Sequence, residues 1–181
     1  MPRLFLLAAL LLTGCATSNH EKKIPAGVSA GHQIPALDTG AVPQGLSYLE
    51  QQQCMLISYY FTDGRPSVII TMDWETGESI RTTVLKEPNG APHNGHVGGI
   101  EIYESDLWVA SGAFLYRFAL DDVLHNDEAT ATGRFRTEAT EEVAYCTIYE
   151  ESIWAGEFAL GNRYSTHTNH HLIARDGSER T

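Results

Sequence analysis

Two imidazoles stand three residues apart in His93-Asn94-Gly95-His96, inside a Gly- and Pro-containing stretch at residues 86–98. Neutral imidazoles at that spacing can share one divalent metal, with Glu157 as a hard oxygen ligand. Outside a helix the His-x-x-His spacing has no fixed geometry. The same residues therefore also read as a polar loop, in which Gly95, Gly98 and Gly99 let the backbone turn and approach its neighbours. Thr166-His167-Thr168-Asn169-His170-His171 is similar: transition metals collect on such tracts, and solvated loops entering a strand share the composition. Tyr59 and Tyr60 offer aromatic surface to a sugar or a peptide. Asp121-Asp122 and Glu141-Glu142 are adjacent carboxylates of the type that holds Ca²⁺. No firm metal set emerges; His93, His96 and Glu157 are the candidates, and no resident cofactor is expected beyond such a divalent ion.

Other chemistry is missing from the sequence. It has no Gly-rich phosphate loop, no Gly-x-Ser-x-Gly elbow and no His-Glu-x-x-His zinc helix. Twelve Lys and Arg against 23 Asp and Glu leave a net charge of −11, with no basic cluster. Such a chain is unsuited to gripping phosphate backbones, so nucleic-acid binding is not expected. With 43% apolar side chains in 181 residues it has the material for one ordinary domain.

The elements that must position these groups are short β segments. Gly99-Ile100-Glu101-Ile102-Tyr103-Glu104 and Tyr145-Cys146-Thr147-Ile148-Tyr149-Glu150 align at an offset of 46 residues, and Leu107-Trp108 aligns with Ile153-Trp154. An earlier copy, Gly45-Leu46-Ser47-Tyr48-Leu49-Glu50, lies 54 residues before the Gly99 copy. A strand-built period in the mid-forties is the signature of a β-propeller blade. Expected strands are 45–50, 54–60, 67–73 and 79–85, then 99–103, 106–111, 114–120 and 131–137, then 145–149, 152–158 and 170–175. A single helical turn is expected at 120–124. Pro43-Gln44-Gly45-Leu46, Ser58-Tyr59-Tyr60 and Gly95-His96-Val97-Gly98-Gly99-Ile100 resemble blades of NHL- and YWTD-type and secreted bacterial propellers. The resemblance implies an all-β domain over residues 42–181, with about three four-stranded antiparallel blades and an incomplete ring. Another antiparallel β domain, such as a sandwich, is the alternative. Three blades are fewer than a ring generally needs, so the chain reads as a fragment or as one that self-associates.

In an antiparallel blade, the entry to the first strand and the end of the second share one face. That rim is expected to collect His93, Asn94, His96, Glu141 and Glu142 with the strand ends Tyr59, Tyr60, Ser111 and Glu157, and the 159–169 loop bearing Asn162, Tyr164 and His167. Five of the eight histidines fall in or beside these two loops, which makes the rim the default ligand site. Trp108 and Trp154 occupy equivalent repeat positions and are expected to pack between blades, whereas Trp74 precedes a turn and is open to solvent.

At the amino end, Arg3 precedes an apolar run at residues 4–12, followed by Leu12-Thr13-Gly14-Cys15. The run is too short for a permanent membrane span and has the layout of an export signal. Those four residues resemble the lipobox of bacterial lipoproteins, which implies a signal over residues 1–15, lipid on Cys15 and membrane attachment through it. Ala16 follows Cys15, which in such families favours the periplasmic face of the outer membrane in a Gram-negative source. Residues 16–41 read as a flexible tether. Cys54 and Cys146 are expected as buried free thiols. Two functions remain open: a non-catalytic envelope lipoprotein presenting its rim to an envelope protein or glycan, and a metal-dependent hydrolase resembling propeller lactonases.

Overall fold

The computed structural model describes residues 30–137 and 142–158, and the backbone of 168–173 and 179–180. Aliphatic, β-branched and aromatic runs bounded by turn residues dictate the strands. Strands β1 (Ala41–Leu49), β2 (Cys54–Phe61), β3 (Val68–Asp73) and β4 (Ser79–Lys86) pair antiparallel in sequence order. A second sheet holds β5 (Val97–Tyr103), β6 (Asp106–Ser111) and β7 (Phe114–Ala119). The chain then makes the short helix α1 (Leu120–His125) and β8 (Glu128–Thr130), and returns to the second sheet as β9 (Gly133–Arg136). The third sheet is β10 (Glu142–Tyr149), β11 (Ser152–Phe158), β12 (Thr168–Ile173) and β13 (Glu179–Arg180). All of these elements lie in the unit His32–Thr181.

The mostly-β reading with antiparallel sheets is therefore borne out. β6 and β11 have the bounds expected from the sequence. Two differences have clear causes. β8 was not expected, and it runs parallel to β4 as a fifth strand of the first sheet, with Arg81 and Lys86 ion-paired to Asp127 and Glu128. Packing also begins upstream of residue 42. The Tyr59 phenol donates to the Pro35 carbonyl at 2.9 Å, a 3₁₀ turn spans Leu37–Thr39, and β1 starts at Ala41. The end of the expected tether is thus held against the first sheet.

Alternation along each strand gives two packed interfaces. Leu56, Ile69 and Leu85 meet Val97, Ile100, Leu107, Val109 and Phe118 between the first and second sheets. Trp108, Ala110 and Leu115 meet Val143, Cys146, Ile153 and Ala155 between the second and third. Each fully buried aliphatic side chain contributes about 1.5–3 kcal/mol. Among the first strands, β5 packs against both β1 and β10. Each carries an irregularity in its pairing near its start, between Pro43 and Leu46, Val97 and Ile100, and Val143 and Tyr145. There the backbones nearly touch: a Cβ on Gly45 would lie 2.6 Å from the Gly99 Cα, so only glycine fits. Of the tryptophans, Trp108 is buried against Phe135, Trp154 is half-buried, and Trp74 is exposed beside Tyr48.

Candidate functional site

Strand register decides which residues share an end of the sheets. Val42 pairs with Tyr60, Val97 with Ser111, and Glu142 with Phe158. The connection from β4 to β5 (residues 87–96) meets the ends of β2 and β6 and the start of β10. At this end Tyr60 comes from the first sheet, His96 from the residue preceding β5, and Glu142 from the first position of β10. The His96 and Tyr60 rings lie 3.9 Å apart between centroids, tilted by 49°. His96 Nδ1 is 3.7 Å from Glu142 Oε2, an ion pair when the imidazole is protonated. The side chains of His96 and Glu142 are 43% and 49% exposed, so both face water and can meet a ligand. An aromatic surface, a donor-acceptor ring and a carboxylate stand together at the junction of three sheets.

His93 behaves differently. It is buried, and both ring nitrogens are engaged: Nδ1 lies 2.6 Å from Glu87 Oε1, and Nε2 lies 3.0 Å from Ser111 Oγ. The edge of Tyr116 packs on the ring at 4.7 Å between centroids, and its phenol donates to Glu87 Oε1 at 3.3 Å. Arg134 Nη1 stands 3.8 Å from the other Glu87 oxygen. Backbone bonds complete the anchorage. Ser67 N–H donates to the His93 carbonyl at 2.8 Å, and His93 N–H donates to Leu85 at 3.0 Å. Ser67 Oγ donates to the Gly95 carbonyl at 2.6 Å, and Ser111 Oγ donates to the His96 carbonyl at 3.1 Å.

Ser111, His93 and Glu87 have the spacing of a nucleophile, a base and its orienting carboxylate. The surroundings are wrong for that chemistry. Ser111 is 3% exposed, its hydroxyl is turned to a backbone carbonyl, and Gly95 covers it. A Cβ on Gly95 would sit 2.7 Å from Ser111 Oγ and 2.8 Å from His93 Nε2, leaving no room for a substrate carbonyl. The trio pins the loop.

Several sequence expectations change accordingly. Tyr59 is not a rim contact but core. It is fully buried among Ala41, Ile57, Val68, Ile70 and Met72, and burial pushes its phenol up to about 12. His93, His96 and Glu157 do not meet at one point; among the described residues no three His, Cys, Asp or Glu side chains gather as a metal group. Both nitrogens of His93 are already engaged, and the half-buried Glu157 stands opposite Val143 on β11. Asp121 and Asp122 lie in the first turn of α1 and contact His125 and Asn126. Cys54 and Cys146 are buried free thiols. Burial raises both, the Cys146 thiol to about 12. Cys15, Glu141, Asn162, Tyr164 and His167 lie outside the described residues, as do the side chains of His170 and His171.

Sequence reasoning missed Glu87, Ser67 and Tyr116 as partners of the loop. Glu87 lies six residues before His93 in no recognised spacing, and Ser67 and Tyr116 reach the loop only through the packing of two sheets. Among the described residues no helix is long and apolar enough to cross a membrane. A scan against protein-family models and a search of curated proteins both return no match for this chain.

Proposed function

We propose that this chain is an exported envelope lipoprotein, anchored through lipid on Cys15, whose three sheets are β-propeller blades with a non-catalytic binding rim. The blade reading is supported by the inner-to-outer strand order in each sheet and by the packing of β5 against β1 on one side and β10 on the other. The binding reading rests on one observation above all: the half-buried Tyr60 ring lies against His96, and His96 lies beside Glu142, with the latter two open to water. A partly exposed aromatic ring beside a carboxylate and an imidazole suits an uncharged polar ligand, an envelope glycan or a peptide segment of an envelope protein. The ligand meets a surface already in place, because His96 is carried on a loop pinned from both sides.

Two experiments test the halves separately. Cys15→Ser should move the protein from the membrane fraction to the soluble exported fraction; retention in the membrane would overturn the anchor. For the rim, wild type and Tyr60→Ala, His96→Ala and Glu142→Gln variants are screened against envelope glycans and peptides. A ligand lost by all three variants supports the site. Ligands retained by all three, or none for the wild type, would remove it.

A further inference from the structure

Among the described residues nine large hydrophobic side chains stand exposed, and none of them belongs to the second sheet. That sheet is covered on both faces, by the first sheet and by the third. The exposed side chains belong to the first and third sheets and the segment before β1, where packing surfaces are left without a counterpart.

On the third sheet the open surface is defined by register. Cross-strand pairs set Leu56 opposite Ser47, Trp108 opposite Glu101 and Trp154 opposite Thr147, so these three side chains hold one position in successive sheets. Leu56 packs on the second sheet and Trp108 on the third. Trp154 points away from its neighbours Ile153 and Ala155, which face the second sheet. Tyr149, 61% exposed, holds the position of Leu49 and Tyr103, which pack at the first and second interfaces. The Tyr145 ring fills the space that a Cβ on Gly156 would need.

The first sheet carries the complementary end. Leu46 and Tyr48 on β1, opposite Ile57 and Met55, are exposed. Tyr48 holds the position of Ile102 and Ile148, which pack toward the preceding sheet. Over the neighbouring strands this face carries the segment before β1, with Ala36 packed on the cluster around Tyr59, and that segment turns Ile34 and Leu37 to solvent.

We propose that two copies of this chain associate head to tail, the third-sheet face of each seated on the first-sheet end of the other, so that two identical contacts close a ring of six sheets. Continuity points to a second copy as the occupant. β5 already packs between β1 and β10, and β10 of one copy beside β1 of the other repeats that arrangement. A contact between unlike faces either closes on itself or runs on as a filament. Six sheets fall within the number that closes a β-propeller, so closure rests on the blade reading. The new contact is looser than those within the chain. A Cβ on Gly45 would strike Gly99 and one on Gly99 would strike Tyr145, whereas at the next step of that series β10 carries Tyr145 itself. Its side chain holds the two backbones apart, so association is reversible, with a midpoint at roughly 1–100 µM.

The test uses the full chain carrying Cys15→Ser, so that no lipid holds copies together, in analytical ultracentrifugation from about 1 to about 200 µM. The mass should rise from one chain to two and stop there. Tyr149→Asp should keep the protein at one chain throughout with its unfolding midpoint unchanged, because residue 149 is exposed. Geometry is read by cross-linking with a short bis-maleimide, the native Cys54 and Cys146 being buried. Tyr48→Cys and Tyr149→Cys, made in separate chains, should give a covalent pair only when mixed, and the double variant should give covalent pairs without a longer ladder. Cross-linking of Tyr149→Cys to itself, or a dimer indifferent to Tyr149→Asp, would overturn the head-to-tail contact. A ladder from the double variant would overturn closure and count against the blade reading as well. One chain at every concentration would overturn the association while leaving the blade and binding readings in place.

Discussion

His93 and His96 are three residues apart in one loop, yet the fold gives them opposite environments. His93 is 2% exposed with both nitrogens bonded, whereas the His96 side chain is 43% exposed, lies against the Tyr60 ring and makes a long contact to Glu142. The difference teaches that imidazole content says little about function until burial is known. The inner ring holds the loop, and the outer ring is what the loop presents. Gly95 lies between them, close enough to the inner ring that a side chain there would collide.

That contrast can be broken or sharpened by substitution. His93→Ala should cost the most, about 2–4 kcal/mol in denaturant unfolding, because Glu87 and Ser111 lose their partner at a site closed to water. An effect below that of His96→Ala would reverse the assignment of roles. Gly45→Ala should cost about 1–3 kcal/mol, since the new methyl would meet the Gly99 backbone and force β1 and β5 apart; the unfolding midpoint reads it. Ser111→Ala should cost about 1–2 kcal/mol, one buried hydrogen-bonding group being lost while the packing remains.

A smaller effect belongs to the interface between the second and third sheets. The Cys146 thiol is raised from 9.0 to about 12 by burial, with Glu101 adding to it. A group that deprotonates more easily when unfolded stabilises the fold fully below its unfolded value, and this contribution is lost as pH rises toward the folded value. Stability should therefore fall between 9.0 and about 12, with about 1 kcal/mol gone near pH 10. Cys146→Ala should flatten the decline. The smallest change in stability is expected for His96→Ala, within about 0.5 kcal/mol, because its ion pair faces solvent. Its effect should appear in ligand binding, which makes it the mirror image of His93→Ala.

Much of this architecture was legible beforehand. The 46-residue offset between the two later Ile-Tyr-Glu copies and the equivalence of Trp108 with Trp154 put the strands within a few residues of where they stand. Antiparallel pairing then implies which strand ends share a rim, and it groups Tyr60, His96 and Glu142 together with Tyr59, His93 and Glu157. The readings that failed concern which way a side chain points. Tyr59 and Tyr60 are adjacent in β2, and their alternation buries Tyr59 fully on one face while Tyr60, on the other, is half-buried with its ring against His96. No residue type distinguishes the two. β8 escaped notice because three residues, Glu128–Thr130, carry too little pattern to announce a strand that pairs with a partner 44 residues earlier.

By itself the sequence determined the period, the strand-rich composition, the turn residues and the acidic balance, since these follow from local spacing and side-chain chemistry. It also determined the export-like amino end as a resemblance. The tertiary structure alone decided that His93 pins while His96 presents, and that Glu87, Ser67, Ser111 and Tyr116 belong to the same loop. The physical reason is that burial and hydrogen-bond partnership arise when sheets pack, and packing joins residues whose separation in the chain carries no signal.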